Sequence, residues 1–221
     1  MPQDETDRLK SFIAYYLSNK SEIELGSIIK MLSGHSVIPF DKNDSKDLAV
    51  LEKLKQVAEI AVEDIKRDKI RCRRVNEVGN RIEEFVRKAL IRVGYQAHVP
   101  VTSGGNLKAT GYPDLEFRDE FGRITYLECK TYNIRNINTT QRSFYLSPSN
   151  EFKITADAHH IIVSLEIVEA ERKADMSVYS SQGWKILDAA TLPLDLKLEF
   201  NSDNARLYGS RTQLLLAQSN H

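Results

Sequence analysis

Two cysteines, Cys72 and Cys129, are all that the 221-residue chain contains. That is too few for a disulfide framework or a cysteine-based zinc site. No apolar run approaches the roughly 20 residues that span a bilayer. The opening stretch, MPQDETDRLK, is polar and acidic and carries no apolar core of a secretory leader. The expectation is a cytoplasmic protein with no membrane partner. Charge of one sign is also lacking, since 31 Lys and Arg balance 31 Asp and Glu. A chain of zero net charge is no general coat for nucleic acid. No linker or internal repeat divides it. The glycine-bearing stretch at 102–111 lacks the Gly-Lys-Ser/Thr ending of a nucleotide-binding loop.

What is present is an ordinary globular composition, 41% hydrophobic and 28% charged. It suffices for one large domain, or for a core with a helical appendage. Charge is unevenly distributed. Between Lys66 and Arg92 there are ten Lys or Arg against four acids, a local balance of +6, so the remainder carries −6. Such a stripe fits DNA bound at a restricted surface, or equally a helix with a solvated basic face. Arg71, Arg73 and Arg74 are its densest cluster and are candidate phosphate contacts.

The first third reads as helical. Leu9, Phe12, Ile13, Tyr16 and Leu17 recur at helical spacing, residues 21–32 form a second short helix, and Pro39 lies in the break that follows. Ser45 is positioned to cap a long helix whose apolar side runs from Leu48 through Leu51, Leu54, Val57, Ala58, Ala61 and Val62 to Ile65. Residues 1–70 are therefore read as a helical N-terminal region serving dimerisation, DNA embrace or plain support, and residues 71–221 as the core. Val78, Ile82, Phe85, Val86, Ala89 and Val93 make a further stripe ended by Gly94. Glu83 lies at the margin of that stripe, where a side chain can look into a cleft, whereas Glu77 and Glu84 lie nearly opposite it.

The core is organised around GYPDLEFRDEFGRITYLECK, residues 111–130. Tyr112, Leu115 and Phe117 begin one strand, residues 119–122 form a polar turn, and Ile124, Tyr126 and Leu127 begin a second. A turn centred between Glu120 and Phe121 places Asp114 opposite Leu127 and beside Glu128. Alternation then sends Glu128 and Lys130 to one face, Leu127 and Cys129 to the other. Two carboxylates and an ammonium on one surface suit phosphodiester hydrolysis. Hard oxygens hold Mg²⁺, the cation neutralises charge on the phosphate and acidifies a bound water, and Lys130 orients that water or stabilises phosphate oxygens.

Pro113-Asp114 followed by Glu128-Cys129-Lys130 resembles the catalytic motif of the PD-(D/E)XK nuclease superfamily, over roughly Val75 to Val168. The resemblance implies a restriction-endonuclease-like α/β fold, a mixed β-sheet core flanked by helices. It also implies that Asp114 and Glu128 bind the metal, that Lys130 assists catalysis, and that the Cys129 backbone carbonyl joins the metal shell. Enzymes of this kind draw a further acid from the preceding helix, often four positions after a glycine. Gly79 and Glu83 fit, with Glu84 and Glu77 as alternatives. Some relatives carry a Gln-x-x-x-Tyr helix after the motif, a spacing that Gln141 and Tyr145 share. Residues 144–146 also fit a strand or a substrate-facing segment.

Elsewhere, residues 95–101 read as a strand followed by a small-residue loop in which Asn106 and Lys108 can approach DNA. Gln141 and Arg142 are further DNA candidates. Residues 158–167 read as a central strand preceded by His159 and His160, for which a strand-edge or DNA-facing place is expected rather than a zinc site. In the strand-rich tail, residues 176–179, 183–187 and 194–200 read as strands. Asn201, Asn204, Arg206, Arg211 and Gln213 are candidate base readers there.

With no second enzymatic domain in view, the outline looks like a type II restriction endonuclease. That implies a Mg²⁺-dependent homodimer cutting a short palindrome in double-stranded DNA. A structure-specific repair, recombination or mobile-element nuclease and a non-catalytic DNA-binding protein are the alternatives.

Overall fold

The computed structural model describes residues 3–18, 22–74, 77–108, 110–139, 143–149, 151–173, 175–197 and 206. In chain order the elements are α1 (Gln3–Ser18), β1 (Ile23–Glu24), α2 (Leu25–Ser33), α3 (Ser45–Asp68), β2 (Ile70–Cys72), α4 (Glu77–Arg92), β3 (Ala97–His98), β4 (Leu115–Arg118), β5 (Ile124–Tyr132), β6 (His159–Lys173), β7 (Met176–Asp188) and β8 (Pro193–Leu194). The chain divides into two compact units, residues 23–194 and residues 1–22 with 195–221. Helix α1 belongs to the second unit. Among the described residues no helix is long and apolar enough to cross a membrane.

The larger unit is built on a six-stranded sheet in the order β2-β7-β6-β5-β4-β3. Strands β5 and β6 run parallel, and every other neighbouring pair is antiparallel. Three-to-four spacing gives α3 a buried face of Leu54, Val57, Ala58, Ala61, Val62 and Ile65, and gives α4 one of Val78, Ile82, Val86, Ala89 and Leu90. Both faces pack on Leu115, Phe117, Leu127, Cys129, Val163 and Leu165 of the sheet. Across the sheet a second cluster joins Leu25 and Ile29 of α2 to Tyr126, Ile154, Ala158 and Ile162. The middle strands are thus covered on both sides, which accounts for the near-continuous apolar run 161–165 in β6. This is the expected restriction-endonuclease-like architecture, a mixed sheet flanked by helices.

Several details depart from the sequence reading. Asp44, not Ser45, caps α3, its carboxylate accepting from the Lys46 N–H at 2.7 Å. The two strands expected at 176–179 and 183–187 are one continuous β7 that bulges against β6. The strand expected over 194–200 is limited to Leu194 at the end of β8, residues 195–197 are irregular, and 198–200 lie outside the described residues.

The β4–β5 hairpin is shifted by one position from the expected pairing, with Leu115, not Asp114, facing Leu127. The turn is one residue longer than a two-residue loop. The Asp119 N–H donates to the Arg123 carbonyl at 2.9 Å and the Gly122 N–H to the Asp119 carbonyl at 3.0 Å, so Phe121 is the midpoint. Gly122 takes φ +80°, the left-handed conformation that closes three-residue hairpin loops. A Cβ there meets nothing within 4 Å. Gly122→Ala should therefore cost about 1 kcal/mol through backbone conformation alone, measurable as a lower denaturation midpoint at unchanged slope. The hairpin is also anchored from below. Arg123 donates from Nε to Asp119 at 2.8 Å and from Nη1 to buried Asp47 of α3 at 2.7 Å.

Candidate active site

Asp114 stands one residue before β4, where the ladder with β5 runs out. Continued by one step, the observed register brings it level with Glu128. Its Oδ2 accepts the Cys129 N–H at 2.8 Å, so the carboxylate caps the end of the hairpin. Alternation along β5 acts as expected. Leu127 and Cys129 enter the helix-side core, while Glu128 and Lys130 project the other way. Lys130 Nζ donates to Glu128 Oε1 at 2.6 Å. Glu128 is 4% exposed, and its Oε2 is buried without a hydrogen-bond partner.

Electrostatics marks the site as short of positive charge. Burial, and then the charge of Asp114, push the Glu128 carboxyl up to about 7 against the opposing pull of Lys130. Asp114 is likewise raised by burial, although the Cys129 N–H and the charges of Lys130 and Lys153 oppose the shift. Glu83, half-buried on α4, is pushed up to about 7 by burial and then by Asp114. Asp114 is the charge that both glutamates share.

The other two acids of α4 are both exposed. Glu84 is exposed and held down by Arg87 at 2.8 Å and Lys88 at 3.4 Å. Glu77 is exposed on the first turn, where its charge acts on Cys72.

Lys153, which the sequence reading passed over, supplies a second ammonium. It is 3% exposed, and its Nζ donates to the Gly111 carbonyl at 2.7 Å and the Pro113 carbonyl at 3.0 Å. Its surroundings include the charges of Asp114, Glu128 and Glu83. The available signal is a lone lysine between Phe152 and Ile154, and no spacing rule ties that to a motif that ends 23 residues earlier.

The back wall is aromatic. Tyr112 stacks on His160 and meets Phe144 edge-on, and Lys130 Nζ lies 5.4 Å from the Phe144 centroid. His159 and His160 are both buried, which corrects the expected strand-edge or DNA-facing place. They open β6, an interior strand, and point to its two covered faces. His159 reaches the Ile38 carbonyl at 2.9 Å and Asp47 at 3.2 Å. His160 Nδ1 lies 2.7 Å from the Tyr112 hydroxyl, and burial keeps it neutral, with a pKa lowered to about 3.

The donor set suits a hard cation. Asp114 and Glu128 offer carboxylate oxygens, one of them buried and unpartnered, in surroundings that penalise their negative charge. The Cys129 thiol is buried and raised well above its ordinary range, so its sulfur stays protonated and the backbone carbonyl is the oxygen that residue can offer a hard cation. Among the described residues no group of three or more His, Cys, Asp or Glu is placed to hold a metal ion. An open site of two carboxylates is what Mg²⁺ accepts, since it keeps several of its waters.

The DNA candidates fall into separate groups. Asn106 and Lys108 are exposed on the loop before the hairpin, and Asn106 Nδ2 donates to Glu151 at 3.4 Å. The charge of Lys108 is felt at Lys153, which brings this loop to the site. Arg71, Arg73 and Arg74 are exposed, but Arg71 lies on edge strand β2, three strand spacings or roughly 15 Å from β5 across the sheet. Half of the basic stripe is paired. Lys66 meets Glu63, Arg67 meets Asp64 and Asp68, Arg87 and Lys88 meet Glu84, and Arg92 meets Asp64. Arg206 is exposed. Gln141, Arg142, Asn201, Asn204, Arg211 and Gln213 lie outside the described residues.

Residues 17–211 match the family model described as Type II restriction enzyme MjaV family. The chain is also 35% identical over 217 residues to the Type II restriction enzyme MjaV of Methanocaldococcus jannaschii, an alignment covering 91% of this chain and 92% of that relative.

Proposed function

The chain belongs to the Type II restriction enzyme MjaV family, a PD-(D/E)XK-type restriction-endonuclease assignment, and from that premise we propose that it is a Mg²⁺-dependent, site-specific deoxyribonuclease acting on double-stranded DNA. The observation that carries the reading is the meeting of Asp114 and Glu128 at the open end of one hairpin, with Lys130 on the glutamate. Asp114, Glu128 and the Cys129 carbonyl would hold the metal. When bound, Mg²⁺ supplies charge neutralisation at the phosphate and a more acidic water.

The chain's own groups do the rest. Lys130 is partly exposed, and an ammonium has three donors, so it can hold Glu128 and still offer a proton donor to a phosphate oxygen or orient the attacking water. Glu83, titrating near neutrality beside Asp114, is the proposed water-mediated or second-metal ligand. Asn106 and Lys108 are proposed to meet the DNA next to the site. The target is a short palindrome read by a homodimer, one site per strand.

The test is incubation of the protein with long, sequence-diverse duplex DNA and Mg²⁺, with Asp114→Ala as control, followed by sequencing of the fragment ends. Fragments sharing one short motif are expected. Intact duplex alongside cut junctions or flaps would replace this reading with a structure-specific nuclease, and intact DNA of every form would leave a binding protein.

Arg73 and Arg74 provide a separate check on the DNA path. If each meets a phosphate, the Arg73→Ala, Arg74→Ala double variant should flatten the dependence of log affinity on log salt by about 2. An unchanged slope removes both from the interface.

A further inference from the structure

We propose that Lys153 is a positioning residue of this site, its buried ammonium clasping the Gly111 and Pro113 carbonyls and so fixing the turn that presents Asp114. The inference rests on the nuclease reading for its consequence, but its geometry stands apart from it. Lysine is seldom buried without a partner carboxylate. Here both observed acceptors are backbone carbonyls, and no carboxylate pairs directly with Lys153 among the described residues. A methionine would fill the same space without desolvating a charge, so the donors of the ammonium are its distinguishing contribution.

The Pro113 carbonyl belongs to the peptide plane that leads into Asp114. Holding that oxygen sets the plane, and with it the direction in which the Asp114 side chain leaves the backbone. Continued past Leu115, the ladder would set Pro113 opposite Cys129. The Cys129 N–H is instead taken by the Asp114 carboxylate, and the Pro113 carbonyl is taken by Lys153. The two bonds together lock the Asp114 turn on β5.

The clasp is itself held firmly. The Ser103 N–H donates to the Phe152 carbonyl at 2.7 Å, Ile154 is buried in the second cluster, and the Thr155 N–H donates to the Tyr126 hydroxyl at 2.9 Å. Lys153 therefore reaches the turn from a segment tied both to the loop of Asn106 and Lys108 and to β5.

The test compares wild type with Lys153→Met, which keeps the stem and removes the ammonium. In protein free of DNA and Mg²⁺, the Cys129 amide reports the placement of Asp114 directly. Its hydrogen exchange should accelerate about tenfold in the variant while Leu127 and Val163 stay protected. Single-turnover cleavage at saturating DNA and Mg²⁺ should fall about tenfold, with DNA affinity within about twofold of wild type. A variant that merely melts earlier, with all sheet amides loosened alike or with Cys129 protection and cleavage unchanged, overturns the proposal. Should the variant not fold, wild-type NMR decides. A slowly exchanging Lys153 ammonium correlated through hydrogen bonds to the Gly111 and Pro113 carbonyl carbons is expected, and its absence refutes the clasp. Wild-type protein that never cuts DNA would instead remove the nuclease reading and leave the exchange comparison intact.

Discussion

Glu128→Gln should move activity and stability in opposite directions. Mg²⁺-dependent cleavage is expected to fall by at least about a thousandfold, some 4 kcal/mol of transition-state stabilisation, while the metal-free protein becomes more stable by about 3 kcal/mol at pH 8. The gain follows from the raised carboxyl. Glu128 is ordinary at 4.5 in an unfolded chain and pushed up to about 7 when buried beside Asp114, so the folded state favours its proton. Stability associated with this group is full below about 4.5, is lost as pH rises toward 7, and stays lost above it. A glutamine carries no charge and escapes that loss. Denaturant melts in chelator should show the variant ahead at pH 8 and the difference closing by pH 4.5. Mg²⁺ should then stabilise wild type and leave the variant unmoved, by linkage to the folded state alone. A variant less stable than wild type at pH 8 would sink the charge argument, and full turnover would sink the site.

This opposition also separates what was legible in the sequence from what was not. Period-two alternation was enough to divide Glu128 and Lys130 from Leu127 and Cys129, because a strand leaves no other choice. A two-residue turn would set Asp114 opposite Leu127, one position from the observed register. The left-handed Gly122 makes it three, and that brings Asp114 level with Glu128 rather than beside it. Paired histidines suggested an exposed edge. Adjacent residues on a strand point to opposite faces, however, so His159 and His160 are both buried only because β6 is covered twice, a property of the assembled layers.

The basic stripe over 66–92 is weaker than its local charge implies, because Glu63 and Asp64 stand just before it. Those acids pair with Lys66, Arg67 and Arg92. Lys153 was invisible for a further reason. Its acceptors are backbone carbonyls, and carbonyls leave no mark in a sequence.

Lys130→Met is the complementary experiment, since it removes the cation and keeps both carboxylates. Cleavage should fall by about 10²–10³-fold at saturating DNA and Mg²⁺, the range lost when one donor to a developing oxyanion is deleted. The size of the loss alone would not separate chemistry from metal binding. The pH profile does. Lys130 is the principal influence holding the Glu128 carboxyl down against burial and Asp114, through its charge and its 2.6 Å hydrogen bond. Without it Glu128 holds its proton to a higher pH, and that proton competes with the cation for the same oxygens. At subsaturating Mg²⁺ the acid limb of the cleavage profile should therefore move toward higher pH, and rising pH or rising Mg²⁺ should recover part of that shift. Neither should recover the donor that Lys130 offers to the phosphate or the water, so the rate at saturation stays low. Lys130→Arg is not expected to restore it, because a planar guanidinium cannot take the place of a compact ammonium lying between Glu128 and the Phe144 ring. Cleavage by Lys130→Met within about threefold of wild type at saturation, with the acid limb moved, would leave Lys130 as a counter-charge for Glu128 and no more, and an unmoved limb would remove that role as well.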